Sequence, residues 1–499
     1  MADHNDIDIF SHFTAAELKQ LAQAKRYFER LQCDSELATA VSHRSVTDGQ
    51  LARLRKIGVM FELAELPSDS DNQHNMALYI FAASKNVEEK LDEVVKQFAD
   101  KYPLLKIWGR YLALMYQKHF GGADGKKEPT ASSNAAFNAW RKRRIAATKS
   151  ELGFFGSQID HPAFAYELSE GCSVGCWFCS FATDKLSAVF DYDTGRDEAL
   201  RILGHCIDMF GKEIAGNALP YYRTEPHDNP DYINFLQDFE KKTGEVLCTS
   251  TAVCGDIAWI RRLLAYYQRE DKTYHWPRLS ILSLAMMDKV HDAFTPDELL
   301  SIELLVQSKD HFRPKVTGGR ILAEHDGLRD SEHFFDKRNV GMVPQGSIAC
   351  VSGFDINLAS RSVMLFSPCY VSAKWPYGFR VFALEKYEDA EHFPQVLNNI
   401  IERCMPLSPP GERKIKFRDD IVFRPTEEGF DLATPNQLHH FKGKQKCEPL
   451  GELINEGDHT YDQLVAHLVQ RHKKNPIILR MAIQQLFNDG FLDEVDYGD

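Results

Sequence analysis

At 499 residues, 43% of them hydrophobic, the chain is long enough for about three domains of roughly 150 residues, each with its own core. Lys plus Arg number 59 against 72 Asp plus Glu, and the net charge of −13 repels phosphate backbones, which argues against bulk nucleic-acid binding. The acidic start MADHNDIDIF has no basic or apolar signal region and no apolar run approaches a membrane span. The 11 cysteines are an odd number and sparse, so a reducing cytoplasmic setting is expected rather than a disulfide scaffold.

Residues 1–125 read as a helical domain. AELKQLAQAKRYFERL sets Leu18, Leu21, Ala22, Ala24, Phe28 and Leu31 near one face, and VEEKLDEVVKQFADKY repeats the pattern with Leu91, Val94, Val95 and Phe98. GGADGKKEPTASSNAA is rich in Gly, Ser and Lys, and a linker is expected over 126–159. From 160 to 405 short apolar runs alternate with amphipathic stretches. AFAYELSEG reads as a first strand, and RDEALRILGHCIDMF as a helix with Ala199, Leu203, Ile207 and Phe210 at helical spacing. NPDYINFLQDFEKKTG is a helix with Asn229 as cap, Pro230 in its first position and Gly244 as terminator. EVLCTSTAV and RLSILSL are strands, GDIAWIRRLLAYYQ a helix, and TPDELLSIELLVQ a helix opened by a Thr295 and Glu298 capping box. Repeated strand-helix units predict an α/β fold with a parallel sheet, curved or closed, and functional loops at the C-terminal strand ends.

SIACVSGFDINLASRSVMLFSPCYVSAKWPYGF alternates as two strands around a polar turn near residue 358. Residues 411–499 change character. IKFRDDIVFRP, EGFDLATP and LHHFKG are three short antiparallel strands, and LGELINEG, TYDQLVAHLVQRH and NPIILRMAIQQLFNDG are three helices. Thr460 with Gln463 forms a capping box, and Asn475, Pro476 and Gly490 bound the last helix. This is the arithmetic of a winged-helix-like module.

GCSVGCWFCS places Cys172, Cys176 and Cys179 in a Cys-x3-Cys-x2-Cys spacing directly after the first strand. Three thiolates within eight residues can wrap one inorganic centre only if the backbone coils tightly, and Gly171 and Gly175 permit that coil. Structural zinc ordinarily takes four protein ligands from two separated pairs, and no second pair exists in the chain. Three local cysteines instead suit a [4Fe-4S] cluster with one iron left open.

This spacing, with Phe178 before the third cysteine and a first strand before the cluster, resembles the signature of the radical S-adenosylmethionine (SAM) enzymes. The resemblance implies a partial (β/α)6-type barrel over 160–405. It implies a cluster on Cys172, Cys176 and Cys179 that chelates SAM, with Phe178 by the adenine. The short loop that holds the SAM amino group falls at YYRTEPHDNPDY, where Thr224 and Glu225 resemble it without the family's glycines; a capped turn into the following helix is the alternative. At the end of the fourth strand, RLSILS offers Arg278 and Ser280 to the ribose or carboxylate.

The C-terminal module resembles the leader-binding modules, related to a small pyrroloquinoline quinone chaperone, that are fused to enzymes modifying ribosomally made peptides. A leader strand would add to the edge of its sheet. A DNA-binding winged helix is the alternative, disfavoured by Asp462, Asp489 and the acidic tail DEVDYGD. Taken over nearly its full length, the chain resembles the radical SAM peptide epimerases of proteusin-type natural products. The implied activity is conversion of L- to D-residues in a precursor peptide that carries a leader, with a flavodoxin or ferredoxin as electron donor and neither nucleic acid nor membrane as partner.

Inversion needs a hydrogen delivered to the opposite face of the α-radical, and the family uses a thiol outside the cluster. Cys369, at the end of a hairpin strand after Pro368, is the first candidate and Cys350 the second; Cys248 and Cys254 also stay open. Cys33, Cys206, Cys404 and Cys447 read as structural thiols, although Cys404 and Cys447 could complete an auxiliary cluster with the hairpin pair. Two other outcomes remain open: a radical SAM cross-linking or C-methylating maturase, and a non-catalytic metal-containing protein that binds peptide or DNA.

Overall fold

A computed structural model describes residues 8–63, 96–97, 100–120, 131–153, 156–269, 272–273, 277–308, 318–321, 348–442 and 448–494. The sequence patterns over 87–95 and 121–130, and Cys447, lie outside the described residues. In chain order the first helices are α1 (Ala15–Cys33), α2 (Ser35–Ser42), α3 (Asp48–Lys56), α4 (Pro103–Phe120) and α5 (Ala135–Leu152). Then come β1 (Phe164–Glu167), β2 (Ser169–Glu170), β3 (Ala188–Val189), α6 (Tyr192–Phe210), α7 (Lys212–Gly216), β4 (Ala218–Leu219) and α8 (Tyr232–Thr243). The middle holds β5 (Thr249–Thr251), α9 (Ile257–Tyr267), β6 (Gln268–Arg269), β7 (Lys272–Thr273), β8 (Pro277–Ile281), α10 (Leu284–Ala293) and β9 (Glu303–Val306). After it follow β10 (Gly353–Asn357), β11 (Ser362–Pro368), β12 (Phe379–Lys386) and α11 (Phe393–Cys404). The last elements are β13 (Val422–Thr426), β14 (Gly429–Ala433), β15 (Leu438–Lys442), α12 (Glu448–Glu456), α13 (Tyr461–His472) and α14 (Pro476–Asn488).

The chain is a mixed α/β protein whose compact units do not follow the expected consecutive domains. One unit joins Met1–Pro129 to Cys248–Phe312, and the other joins Thr130–Leu247 to Arg313–Asp499. In the first unit β5, β8 and β9 form a parallel sheet, and α1 packs against β9 and α10. Helix α1 opens with a Thr14 and Glu17 capping box, and it buries Lys25, Arg26, Glu29 and Arg30 along with Leu21 and Ala24. Their charges are used inside the unit. Lys25 reaches Glu29 and the carbonyls of Leu299 and Ile302, and Arg30 pairs with Asp34 at 2.8 Å and with Asp288. The segment expected as a helix from Thr295 is a turn held by the Thr295 and Glu298 side chains, followed by strand β9. Leu304 and Val306 are worth more as buried strand residues beside β8 than as one more helical turn.

The second unit is built on a five-stranded sheet in the order β12-β11-β10-β1-β4, with β1 parallel to β4 and β10 and the rest antiparallel. On one face Phe164, Tyr166 and Phe354 pack under Phe137, Phe210 and Phe239; Phe137 and Phe210 meet at 4.8 Å between ring centroids. Helix α5 lies within the span expected to be a linker, yet it is a core element. It buries Phe137, Trp140, Arg141, Arg143 and Arg144, and Asn134 caps it. In α8, Gly244 is the left-handed terminator as expected, but Asp231 takes the cap position, while Asn229 donates to the carbonyls of Leu168 and Phe190.

Residues 411–494 form the expected three-stranded antiparallel sheet, in the order β13-β14-β15, and three helices around Phe430, Leu432, Leu468, Ile483 and Phe487. The Thr460 and Gln463 capping box and the Asn475 cap are present, and Gly490 adopts φ 73°. A knot of buried charges ties this part to α5 and the hairpin. Glu494 accepts from Arg143 at 2.9 Å and Arg144 at 3.3 Å, Glu151 pairs with Arg380 and with Arg418 at 3.3 Å, and Asp420 pairs with Arg418 and Arg380.

Candidate functional site

The three cysteines stand where β1 gives way to loop. Just before them β2 pairs with β3, and Gly171 turns at φ 82°; a Cβ there would stand 2.3 Å from the Lys185 carbonyl oxygen, so only glycine fits. The Cys172 amide donates to Asp184 O at 3.0 Å, the Cys179 amide to Cys176 O at 3.2 Å and the Ala182 amide to Cys179 O at 3.2 Å, closing residues 172–184 into one curled loop. Gly175 takes φ 63° at the sharp bend. All three cysteines are half-buried. Burial pushes the Cys172 thiol up, with the Gly175 and Val174 amides pulling the other way. Burial, then the neighbouring Cys172 and Cys179, pushes the Cys176 thiol up to about 12. As they stand, no three His, Cys, Asp or Glu side chains among the described residues are grouped to hold a metal ion.

Beside the loop, the segment after β4 brings Thr224 and Glu225. The Thr224 hydroxyl is spent on Glu167, whose other oxygen accepts the amides of Tyr222 at 2.8 Å and Arg223 at 2.7 Å. Glu225 is buried, caps the short turn Pro226–Asp228 and adds negative potential at Cys172 and Cys176. Asp228 accepts the Ser173 amide at 3.0 Å, so the two loops are stitched together. Phe178 is half-buried and meets Trp177 edge-on at 5.8 Å. Ser280 and Arg278 belong to β8 of the first unit; Ser280 O accepts from the Cys254 thiol at 3.6 Å, and Arg278 pairs with Glu303 at 3.0 Å.

Three charged residues that the sequence reading passed over line the same sheet face as the loop. Asp355 on β10 is the register partner of Ala165, and Glu167 lies two residues further along β1, so both project from one face. Asp355 accepts from Arg223 Nε at 2.8 Å, and its other oxygen has no partner among the described residues. Burial, then the Asp355 charge, pushes Glu167 up to about 7, while Arg223 opposes the rise. Burial also raises Asp355. A glutamate inside the apolar run AFAYELSEG and an aspartate inside GFDIN were the available signals. Farther along the chain, Arg320 donates to Cys176 O at 3.1 Å, and its amide donates to Cys179 O at 3.0 Å.

The two hairpin cysteines are not equivalent. Cys350 is half-buried and packs against the apolar group of Ala165, Phe181, Tyr222, Met364 and Phe366, to which Cys179 also packs; its amide donates to the Tyr222 hydroxyl at 2.9 Å. Cys369 is fully buried. Ser367, two residues before it, accepts from Arg144 of α5, and the charges nearest the Cys369 thiol are Arg380, Glu151 and Arg144. Burial pushes that thiol up to about 12. The structure thus places Cys350, and not Cys369, in the packing group of the cysteine loop. Cys206 and Cys254 are fully buried, Cys404 donates to Phe382 O at 3.6 Å, and Cys33 closes α1. Cys248 is half-buried just ahead of β5.

No helix among the described residues is long and apolar enough to cross a membrane. No protein-family model matches the chain, and no solved structure matches it. It is 30% identical over 493 residues to the uncharacterized protein y4wI of Sinorhizobium fredii (strain NBRC 101917 / NGR234), across 97% of this chain and 90% of that protein. The chain belongs to the same family as y4wI.

Proposed function

We propose that the chain is a radical SAM peptide epimerase that converts L-residues to D-residues in a ribosomally made precursor peptide. The observation that carries this reading is the glycine-permitted curl of residues 171–184, which gathers Cys172, Cys176 and Cys179 into one loop at the end of a strand flanked by parallel neighbours. On this reading the strands after residue 160 belong to a partial (β/α)6-type barrel, and residues 411–499 form a winged-helix-like leader-binding module.

The residues fit a [4Fe-4S] cluster in donor chemistry. Three soft sulfurs share one loop, the amides of Val174 and Gly175 favour charge on Cys172, and each thiol gives up its proton on ligation. With SAM bound, such a cluster supplies a carbon radical able to take an α-hydrogen from a peptide residue. Glu225 beside the loop and Phe178 within it are candidate SAM contacts. Thr224 can take part only as an acceptor or by leaving Glu167.

Hydrogen return falls to Cys350 on this geometry, with Cys369 as the alternative. The Cys350 S–H bond breaks homolytically, its hydrogen closes the new Cα–H bond on the opposite face, and the sulfur radical is reset by one electron and one proton, the electron coming from a flavodoxin or ferredoxin. The leader would add along β15, one of the two edge strands of its sheet, where Leu438, His440 and Lys442 are exposed and alternate with half-buried His439 and Phe441.

The experiment is turnover in heavy water with a precursor peptide encoded beside the gene. The expected products are 5'-deoxyadenosine and D-residues, each carrying a single solvent deuterium. A cross-linked peptide lighter by two hydrogens, or a peptide gaining a methyl group, would replace the epimerase with another maturase. Cys350→Ala should keep 5'-deoxyadenosine formation and lose D-residues; if Cys369→Ala does so instead, the role moves to Cys369.

A further inference from the structure

We propose that Gly318, Gly319 and Arg320 form a clasp that fixes the curl of the cysteine loop, with Arg320 as a positioning residue for the metal ligands Cys176 and Cys179. The assignment rests on reading that loop as a cluster site.

Arg320 is 144 residues from Cys176 in sequence, yet one guanidinium nitrogen donates to Cys176 O at 3.1 Å and another to Thr183 O, while the Arg320 amide donates to Cys179 O at 3.0 Å. Two of the three ligand residues therefore have their peptide carbonyls held by one side chain and its own backbone. A planar fork that bridges carbonyls seven residues apart sets the distance between the two limbs of the loop, which a single ammonium cannot do. Among the described residues, these carbonyls take their donors from the loop's own turns and from Arg320.

The backbone on the other side is shaped to bring that donor in. Gly319 sits at φ 67°, and a Cβ on it would stand 2.3 Å from Ser180 O and 2.5 Å from Cys179 O. A Cβ on Gly318 would press at 3.2 Å on Val371 and 3.3 Å on Pro376 O. The Gly319 amide donates to Pro376 O at 2.9 Å, so the clasp is anchored to the turn that follows the hairpin. The paired glycines let the chain pass between loop and turn with nothing between, and Arg320 then closes over the loop.

The test uses the full-length chain freed of metal. Amide hydrogen exchange over 172–184 should be about tenfold faster in Arg320→Gln, the loss expected when a charge-assisted hydrogen bond is removed. Cobalt(II) added to the same protein should show a thiolate charge-transfer band that Cys176→Ser removes. In Arg320→Gln and Gly319→Ala its affinity should fall by about 10- to 100-fold, the range for residues that orient metal ligands, with a changed band shape. Arg320→Lys should restore only part of it. Unchanged exchange and unchanged cobalt affinity in both variants would overturn the clasp while leaving the cluster site standing. A wild-type protein with no cobalt-thiolate band would overturn the site, and the positioning role with it, even where exchange responds to Arg320.

Discussion

Glu167 and Asp355 put two buried carboxylates beside the one partly exposed guanidinium of Arg223, so full ionisation leaves one negative charge uncompensated. Protonation of Glu167 relieves it; burial first, and then the Asp355 charge, raises its pKa from 4.5 to about 7. A carboxyl raised in this way holds its proton more tightly in the folded than in the unfolded chain. Its contribution to stability is fully present below about 4.5 and is lost as the pH rises through about 7. The buried imidazoles of His161 and His291, pushed down to about 3 and about 2, act in the opposite sense, losing stability as the pH falls below 6.5. Comparing wild type with Glu167→Gln isolates the carboxyl. In urea melts the wild type should lose on the order of 2 kcal/mol relative to the variant as the pH rises through this window. Parallel stability curves would show that Glu167 does not hold the proton. The cysteine spacing was legible because all three cysteines lie within one short loop. This acid pair was not, because Asp355 reaches Glu167 only once β10 has paired with β1, 188 residues after it in sequence.

Helix α5 shows how an element can be misread from composition. Its arginines look like a solvated face, but Arg141, Arg143 and Arg144 are buried, and two of them share Glu494. Long-range pairing, invisible in a local window, turns a stretch that reads as a connector into the strut between the sheet and residues 411–494. Thr434 donates to Ser150 O at 2.7 Å and Asn436 to Glu151 O at 2.6 Å, so backbone contacts support the same docking. Glu494→Ala leaves Arg143 and Arg144 buried without their shared carboxylate. It should cost about 3–5 kcal/mol in chemical denaturation and speed proteolysis within 411–494. A change below about 1 kcal/mol would assign the docking to the apolar contacts instead. The C-terminal strands and helices were readable because caps, turns and apolar spacing agreed locally. The stretch from Thr295 was not, since its capping side chains bond as expected while the chain beyond them joins β8 as a strand.

Across the whole molecule, the two units interleave along the chain, and no linear reading of domains anticipates that. The N-terminal helices belong with β5, β8 and β9 because Lys25, Arg26 and Arg30 of α1 find partners on residues 288–302. The α/β class, the strand before the cysteines and the hairpin were all legible; the joining of distant segments was not. For function, the central claim is that Cys172, Cys176 and Cys179 hold an iron-sulfur cluster with one iron open to SAM. Mössbauer and electron paramagnetic resonance spectra of protein reconstituted without oxygen measure this most directly. The account predicts one four-iron cluster per chain, lost in Cys172→Ala, with a reduced-state signal that changes when SAM is added. Protein that assembles no such cluster, or one whose spectrum ignores SAM, would contradict it.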